Sequence, residues 1–268
     1  MKQAPVRLAA GLLSLAFVMV LFNDNALAQK RFEGFWEQQS TRSSNLRGQP
    51  PSVIENEKVF YKPGKMKLDN LSTGKIMIIR LDKELMWNLD SKNKTYSEMT
   101  FAEMEQSMAQ AQSAMKEQMN QMDPEQRKMM EKMMGKKMSD MFGSEGGMEI
   151  SLKRSGKKQQ IMGYECEQVF MYMNNEPLLE MWMTEKYDLG TEFLELYHRM
   201  GLMKGKLSDD ARKIHGISLL TKTAFDTGMG KLETTTKVTR IVPTSVSDSE
   251  FEVPRGYTKQ KLGFDFDE

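Results

Sequence analysis

Short apolar runs, each closed by a turn signal, recur along most of this 268-residue chain. Residues 57–61 end at Pro63-Gly64, a further turn is predicted at 72–74, and the apolar positions of residues 85–89 alternate before a turn at 90–93. Such runs, closed by Gly, Pro, Asn or Asp, are typical of antiparallel hairpins. Consecutive hairpins build a meander, because a parallel sheet needs long crossover connections. We therefore predict about ten strands in a mainly β (α+β) fold, arranged as a curved antiparallel sheet or an open barrel.

The same pattern returns in the second half of the chain. A turn at 155–156 is predicted to separate a strand at 148–154 from one that starts at Gln159. The lysine and arginine pairs on each side of this turn would then lie at a solvated hairpin tip. Two later hairpins are predicted to turn at 174–177 and at 227–230.

Methionine is concentrated between these two β-rich halves, and residues 99–148 hold 13 of the 26 methionines. Residues 100–121 lack Pro and Gly and have the composition of a helix. The Asp-Pro-Glu sequence at 123–125 offers an N-cap, a first-turn proline and an early acid, which predicts a second helix. We expect a methionine-rich helical hairpin inserted at about residues 100–142, and a further helix near residues 191–203.

The methionines of both inserted helices fall on narrow stripes, since each residue turns the helix by about 100°. An apolar stripe on a charged helix must be buried against something. Methionine is unbranched and rotamer-rich, so it covers surfaces that adapt to more than one shape. These stripes favour a lid over an apolar cavity, with Met130, Met134 and Met138 as its contact residues.

Two alternatives for the methionine segment remain open. Thioethers suit Cu(I) or Ag(I), and pairs at helical spacing supply a candidate ligand set. Its members are Met119, Met122, Met130, Met133, Met138 and Met141. Against a metal, no cysteine accompanies them and the two histidines, His198 and His215, lie far away in sequence. The other alternative is an envelope scaffold whose helical hairpin docks in the groove of a partner.

The N-terminus has the pattern of a secretory signal peptide. A basic start precedes an apolar run at 8–22, and small residues follow at 26–28. The run is shorter than the roughly 20 residues that a membrane-spanning helix needs. We therefore predict a cleaved signal peptide at 1–28, a single domain at 29–268, a periplasmic or secreted location and no transmembrane segment after cleavage.

Charge and cysteine content exclude some classes of function. Without the predicted signal peptide the chain carries 36 basic and 36 acidic residues. This balance argues against a nucleic-acid partner, which would select a basic surface. Cys166 is the only cysteine, so an exported chain would fold without an internal disulfide. Its place in an apolar run favours a small buried side chain over a reactive thiol.

No familiar catalytic signature is present in the sequence. It lacks a nucleophile elbow, a zinc-binding His-Glu-x-x-His, a Cys-x-x-Cys pair, a P-loop and a dinucleotide-binding glycine motif. We therefore predict that the protein is not an enzyme and needs no cofactor.

Six sequence motifs, taken in order, resemble a bacterial family, the domain of unknown function numbered 4412. They are KVFYKPGKMKLDNL (58–71), the strands within 76–99, IMGYECEQV (161–169), LLEMWMTEK (178–186), HGISL (215–219) and FEVPRGYTK (251–259). The family is similar to the LolA and LolB periplasmic lipoprotein carriers. The resemblance implies a half-barrel covered by helices, whose concave face receives acyl chains.

We therefore predict an exported binding protein for an apolar small molecule or a lipidated protein, held in a half-barrel cavity. Pockets favour aromatic and apolar walls, so Trp87, Trp182, Met181 and Met183 are candidate cavity residues. Side chains alternate along a strand, so Trp182 should face away from its two methionine neighbours. Plain core packing is an equally good interpretation of all four, and the oligomeric state stays open.

Overall fold

The computed structural model describes residues 31–45, 50–123, 125, 150–173, 176–191, 214, 216–226 and 230–260. Within these residues the chain forms twelve strands and one long helix, α1 (Phe101–Gln121). The strands before the helix are β1 (Gly34–Ser44), β2 (Ser52–Lys62), β3 (Lys65–Asn70), β4 (Lys75–Arg80), β5 (Leu85–Asp90) and β6 (Thr95–Thr100). Those after it are β7 (Ile150–Ile161), β8 (Tyr164–Met173), β9 (Glu176–Thr184), β10 (Ile217–Asp226), β11 (Lys231–Pro243) and β12 (Thr258–Lys259).

All twelve strands belong to one open, curved sheet in the order β12-β6-β5-β4-β3-β2-β1-β11-β10-β9-β8-β7. Two meanders, β1–β6 and β7–β11, meet where β1 pairs with β11. Every pairing is antiparallel except that of β12, which lies parallel to β6 over two residues. The predicted mainly β fold with a large antiparallel sheet is confirmed.

Polar side chains close the hairpins at the turns that the sequence predicts. The Asn70 side-chain oxygen accepts hydrogen bonds from the backbone N–H groups of Ser72 and Thr73. The Asp90 carboxylate does the same in the β5–β6 turn. Gly74 has a φ of 78°, which only a residue without a Cβ adopts at little cost. Local chemistry therefore sets the register of this meander.

The predicted turn at 155–156 is wrong. Strand β7 continues through these residues, and the chain turns instead at Met162-Gly163, where both φ angles are positive. The four basic side chains of residues 153–158 thus lie along an exposed strand at the end of the sheet, and not at a hairpin tip.

A β-bulge accounts for the misread turn. The register between β7 and β8 shifts between Arg154 and Lys158, and Gly156 has a φ of 76°. The Ser155 hydroxyl donates to the side-chain oxygen of buried Gln168 at 2.9 Å. Ser-Gly therefore marks a bulge here, a local break that a strand tolerates without reversing.

Helix α1 begins with a capping box. The Thr100 hydroxyl accepts from the Glu103 backbone N–H at 3.1 Å, and the Glu103 carboxylate accepts from the Thr100 backbone N–H at 2.8 Å. This reciprocal pair satisfies N–H groups that have no partner within the helix. It confirms the helix predicted from residues 100–121.

The predicted second helix of the insertion is described only at its start. The Asp123 carboxylate accepts from the Glu125 backbone N–H at 2.9 Å, as an N-cap does. The rest of the predicted hairpin, the helix predicted near 191–203 and the predicted signal peptide lie outside the described residues. Among the described residues no helix is both long and apolar enough to cross a membrane.

Apolar side chains pack on both faces of the sheet. Val59 and Phe60 are neighbours in β2 and belong to two different clusters, one on each face. Cys166 is fully buried in the Val59 cluster, where burial raises the pKa of its thiol. This confirms the buried position predicted for Cys166.

Candidate functional site

One face of the first meander carries two adjacent apolar rows, which we call the methionine face. In the first row, Met66, Ile79, Met86 and Met99 are successive partners across β3–β6, and Tyr61 continues the row on β2. The second row crosses β1–β4 through Trp36, Val59, Leu68 and Met77. Directly paired side chains start about 4.5–5.5 Å apart, so each row is a continuous apolar surface.

The methionine face is more open on the β3–β5 side than on the β1–β2 side. Trp36, Val59 and Tyr61 are buried. The members that remain half-buried lie on β3, β4 and β5, and are Met66, Leu68, Met77, Ile79 and Met86. A half-buried apolar row on consecutive strands is a surface that a ligand or another part of a protein can cover.

A polar third row borders these two apolar rows. Gln38, Glu57, Asn70, Lys75 and Asp90 are successive partners across β1–β5. The Gln38 amide donates to the Glu57 carboxylate at 2.7 Å, and the Lys75 ammonium donates to Asp90 at 2.8 Å. The face therefore changes from apolar to polar at this register on β1–β4, whereas on β5 it does so already at Asn88, the partner of Met77.

The start of α1 covers one corner of the methionine face. Phe101 is buried, and Ile79, Leu81 and Met104 pack against it. The capping box described above fixes where the helix leaves β6, so this corner is set by local hydrogen bonds.

Aromatic side chains close the face at its β1 end. The Tyr61 hydroxyl donates to the Leu189 carbonyl, and burial raises the pKa of Tyr61 to about 12. Phe32 lies between Trp36 and Tyr187, with ring centroids 6.2 Å and 5.2 Å away. Tyr61 thus stays protonated and acts as a structural donor here.

The opposite face of the same strands is filled by residues 244–257, which we call the C-terminal strap. Its Val246 and fully buried Phe251 pack with Ile78, Trp87 and Leu89. Ion pairs hold each acidic strap residue to a strand or a neighbouring turn, and they join Asp248 to Lys62 and Lys65, Glu250 to Lys67, and Glu252 to Arg80 and Lys83.

Trp87 lies under the C-terminal strap and not on the methionine face. Its indole N–H donates to the Glu98 carboxylate at 2.7 Å. Hydrogen bonds from Lys259 and then from Trp87 lower the pKa of Glu98. The predicted alternation that groups Trp87 with Leu85 and Leu89 is confirmed, because all three belong to the strap cluster.

The other candidate residues lie on the second meander. Trp182 packs against the Val59 cluster, while Met181 and Met183 pack against Leu152. This confirms that Trp182 and its methionine neighbours point apart. The structure therefore places the four candidates in three separate clusters, and their role as ligand contacts stays a prediction.

Trp182 takes part in a polar network. Its indole N–H and the Gln168 amide both donate to one Glu180 oxygen, at 2.9 Å and 3.0 Å. Burial raises the pKa of Glu180, but these hydrogen bonds and the charge of Lys222 outweigh burial, so the net pKa is lowered. Glu180 is thus held as a carboxylate.

The predicted lid and metal residues are mostly outside the described part of the chain. Met119 lies in α1 and Met122 follows it, whereas Met130, Met133, Met134, Met138 and Met141 lie outside the described residues. The described residues contain no group of three or more His, Cys, Asp or Glu side chains that could hold a metal ion. The soft-metal alternative, which uses thioethers, stays a prediction.

Concave surfaces occur elsewhere on the described residues. A hollow of about 400 Å³ lies beside β9–β11 and is lined by Glu180, Lys222 and Thr234 among others. A second hollow of about 540 Å³ is lined by Met183 and three glutamates, among others. A third hollow of about 490 Å³ is lined in part by Phe32 and Tyr187. All three have mixed polar and apolar walls, in contrast to the methionine face.

The sequence prediction named the methionines of β9 but missed those of β3–β6. A signal was present, because the alternation that places Leu85, Trp87 and Leu89 on one side of β5 places Met86 on the other. The methionines of β3–β5 are isolated in sequence, unlike those of the dense segment at 99–148. Pairing across strands then assembles them, and single-strand patterns do not reveal pairing.

The family described as a domain of unknown function (DUF4412) matches residues 102–257, more than half of the chain. The chain belongs to this family. The match includes almost all of α1, and all of β7–β11 and of the C-terminal strap. The resemblance inferred from the six sequence motifs is therefore confirmed at the level of the family.

Solved structures show weaker likenesses. PNGF-II is 11% identical with a TM-score of 0.36, over 85% of this chain and 32% of PNGF-II. This chain thus spans about a third of PNGF-II. The LolA superfamily protein NE2245 from Nitrosomonas europaea is 8% identical with a TM-score of 0.31, over 83% of this chain and 92% of that one. Both scores are too low to infer a shared fold, and no curated protein matches the chain.

Proposed function

We propose that this protein binds an apolar ligand, such as a lipid or the acyl chain of a lipidated protein, on the methionine face. The observation that carries the proposal is the register of the two apolar rows. They bring half-buried Met66, Leu68, Met77, Ile79 and Met86 together on three consecutive strands. Strands usually select branched and aromatic side chains. Unbranched methionine at three of these five positions suits a surface that adapts to a flexible chain.

Binding on this face would depend on apolar contact. Each buried methylene contributes about 0.8 kcal/mol, so a chain of roughly ten methylenes would gain about 8 kcal/mol before the entropy cost of association. The polar row with Glu57 and Asp90 offers a boundary at which a polar head group would stay in water. We propose a binding protein and not an enzyme, because thioethers and aliphatic side chains supply no general acid or base and none of the activated oxygen, nitrogen or thiolate nucleophiles of covalent catalysis.

Export and a lid belong to the same proposal. The signal-peptide pattern at 1–28 supports delivery to the periplasm or the exterior, where carriers of apolar molecules meet membranes. The lid would comprise the methionine stripe of the inserted segment, including Met130, Met134 and Met138. Unbranched side chains on both surfaces would allow them to close on ligands of different shape.

The first test is titration of the purified protein with a dansyl-labelled fatty acid, followed by fluorescence. We expect Met77→Asp and Met86→Asp each to weaken binding by at least about tenfold, because a charge would enter an apolar contact. Ile54→Asp is the matched control, since Ile54 lies on the opposite face of β2 and is 57% exposed. Circular dichroism would establish that each variant is folded.

Saturable binding that survives both face substitutions would contradict the proposed site. Absence of binding to the unmodified protein would contradict the proposed function. Native mass spectrometry of protein purified without detergent gives a second readout. A co-purified lipid released with unaltered mass supports binding without conversion, whereas a hydrolysed product would indicate an enzyme.

A further inference from the structure

The methionines of the methionine face differ in exposure. Met99 is 5% exposed, whereas Met66, Met77 and Met86 are half-buried. These three thioethers lie on β3, β4 and β5, directly beside Leu68 or Ile79. These three side chains are thus partly open to solvent in the middle of an otherwise aliphatic surface.

Thioether sulfur is oxidised more readily than any group on its aliphatic neighbours. With hypochlorous acid, an S–O bond forms, the O–Cl bond breaks, chlorine leaves as chloride and the hydroxyl proton passes to water. With hydrogen peroxide, the O–O bond breaks and the second oxygen leaves as water. In both cases sulfur loses two electrons and becomes a sulfoxide, and the oxidant gains them. Methionine sulfoxide reductases convert the sulfoxide back to the thioether, so the oxidation is reversible.

A sulfoxide changes what the surface can bind. It places a strong dipole where the ligand presents only methylene groups, and an apolar ligand offers that dipole no hydrogen bond. Burying an unsatisfied polar group weakens an apolar contact by about tenfold or more. Leucine at the same positions would keep the apolar surface and could not be oxidised.

We propose that Met66, Met77 and Met86 form an oxidation site that controls ligand release. Oxidants of the peroxide or hypochlorous acid class convert these thioethers to sulfoxides, and the face then loses its affinity for an apolar chain. The inference rests on the proposed binding function and adds regulation of the same surface.

The test compares three proteins before and after limited treatment with hypochlorous acid, each titrated with the dansyl fatty acid. They are the unmodified chain, the face variant M66L/M77L/M86L and the control variant M162L/M171L. The control removes two methionines that lie away from the face and are not candidate ligand contacts, one in the β7–β8 turn and one in the Leu152 cluster. Peptide mass mapping would establish which methionines carry oxygen.

We expect oxidation to weaken binding by at least about tenfold in the unmodified chain and in the control variant, and by less than about twofold in the face variant. Treatment with methionine sulfoxide reductases should restore binding. Equal loss in the face variant would place the effect elsewhere and overturn the inference. Unchanged binding despite sulfoxides at the three positions would overturn it as well. A chain that fails to bind before oxidation would instead contradict the proposed function, so the two failures are distinguishable.

Discussion

The two faces of the first meander are built from the same strands but are closed in different ways. One face is covered by the C-terminal strap, which buries Phe251 completely and fixes each acidic strap residue to a cation. Within the described residues, the methionine face is closed by aromatic side chains at its β1 end and by α1 at one corner, and its β3–β5 side stays half-buried. Alternating side chains let one strand serve both faces at once, since Trp87 and Met86 are neighbours in β5.

This difference separates stability from binding. A face filled by its own chain contributes to folding whether or not a ligand is present. A half-buried face leaves apolar area that another molecule can cover, and so its substitutions should affect binding more than stability.

Substitutions under the strap should lower the free energy of unfolding more than substitutions on the methionine face. We expect Phe251→Ala to lower the free energy of unfolding by about 3–5 kcal/mol, because it leaves a cavity in a fully buried site. Met86→Ala on the other face of β5 should cost about 1–2 kcal/mol, since its side chain is already partly in water. Urea denaturation measures both, and equal losses would show that the two faces are equally well packed.

Loss of a single cation that pairs with the strap should destabilise the protein less than loss of Phe251. Arg80 is 4% exposed and donates to Asp82 at 2.7 Å and to the Phe251 carbonyl at 3.1 Å. Arg80→Met keeps the aliphatic stem but removes these hydrogen bonds from a buried site, so we expect the free energy of unfolding to fall by about 2–4 kcal/mol. Lys83 is an exposed cation that also pairs with the strap, at Glu252. Lys83→Met should therefore lower the free energy of unfolding by less than about 1 kcal/mol. A larger loss for Lys83→Met would contradict this ranking.

Acid should weaken the strap before it affects the methionine face. Hydrogen bonds from Lys65 and Lys62 lower the pKa of Asp248 to about 2, and the Arg80 hydrogen bond lowers the pKa of Asp82. Because the folded pKa lies below the unfolded value, this stability is fully present above about pH 4 and is lost as the pH falls toward 2. We expect the midpoint of urea denaturation to decrease between about pH 4 and pH 2, and to decrease less steeply in the Asp248→Asn variant. Met77→Leu should keep the wild-type profile, and a changed slope there would contradict the separation.

The sequence predicted those parts of the fold that depend on local chemistry. The Asn70 and Asp90 turns, the helix from residue 100 and the alternation in β5 each follow from a few neighbouring residues. The turn predicted at Ser155-Gly156 was wrong, because a Ser-Gly pair is compatible with a turn and with a bulge. Only the pairing with β8, which positions Gln168, decides between the two.

The candidate site was harder to predict because it depends on pairing between strands. No local pattern joins Met66 to Met86, which lie 20 positions apart and meet through Ile79. The sequence identified Trp87 and Trp182 as notable side chains, but their faces follow from the register and from which segment returns to cover them. The strap that covers Trp87 arrives from more than 150 residues later in the chain.

The two end strands of the sheet determine how readily copies of this protein associate edge to edge. A strand at the end of a sheet is a template on which further strands can add, and such addition leads to fibrils. Along β7, the shift at Gly156 breaks the even ladder of N–H and carbonyl groups, and the charged side chains from Lys153 to Lys158 would repel an identical strand. At β6, two residues of β12 already occupy part of the ladder. Both features therefore hinder the addition of a further strand at the ends of this broad sheet.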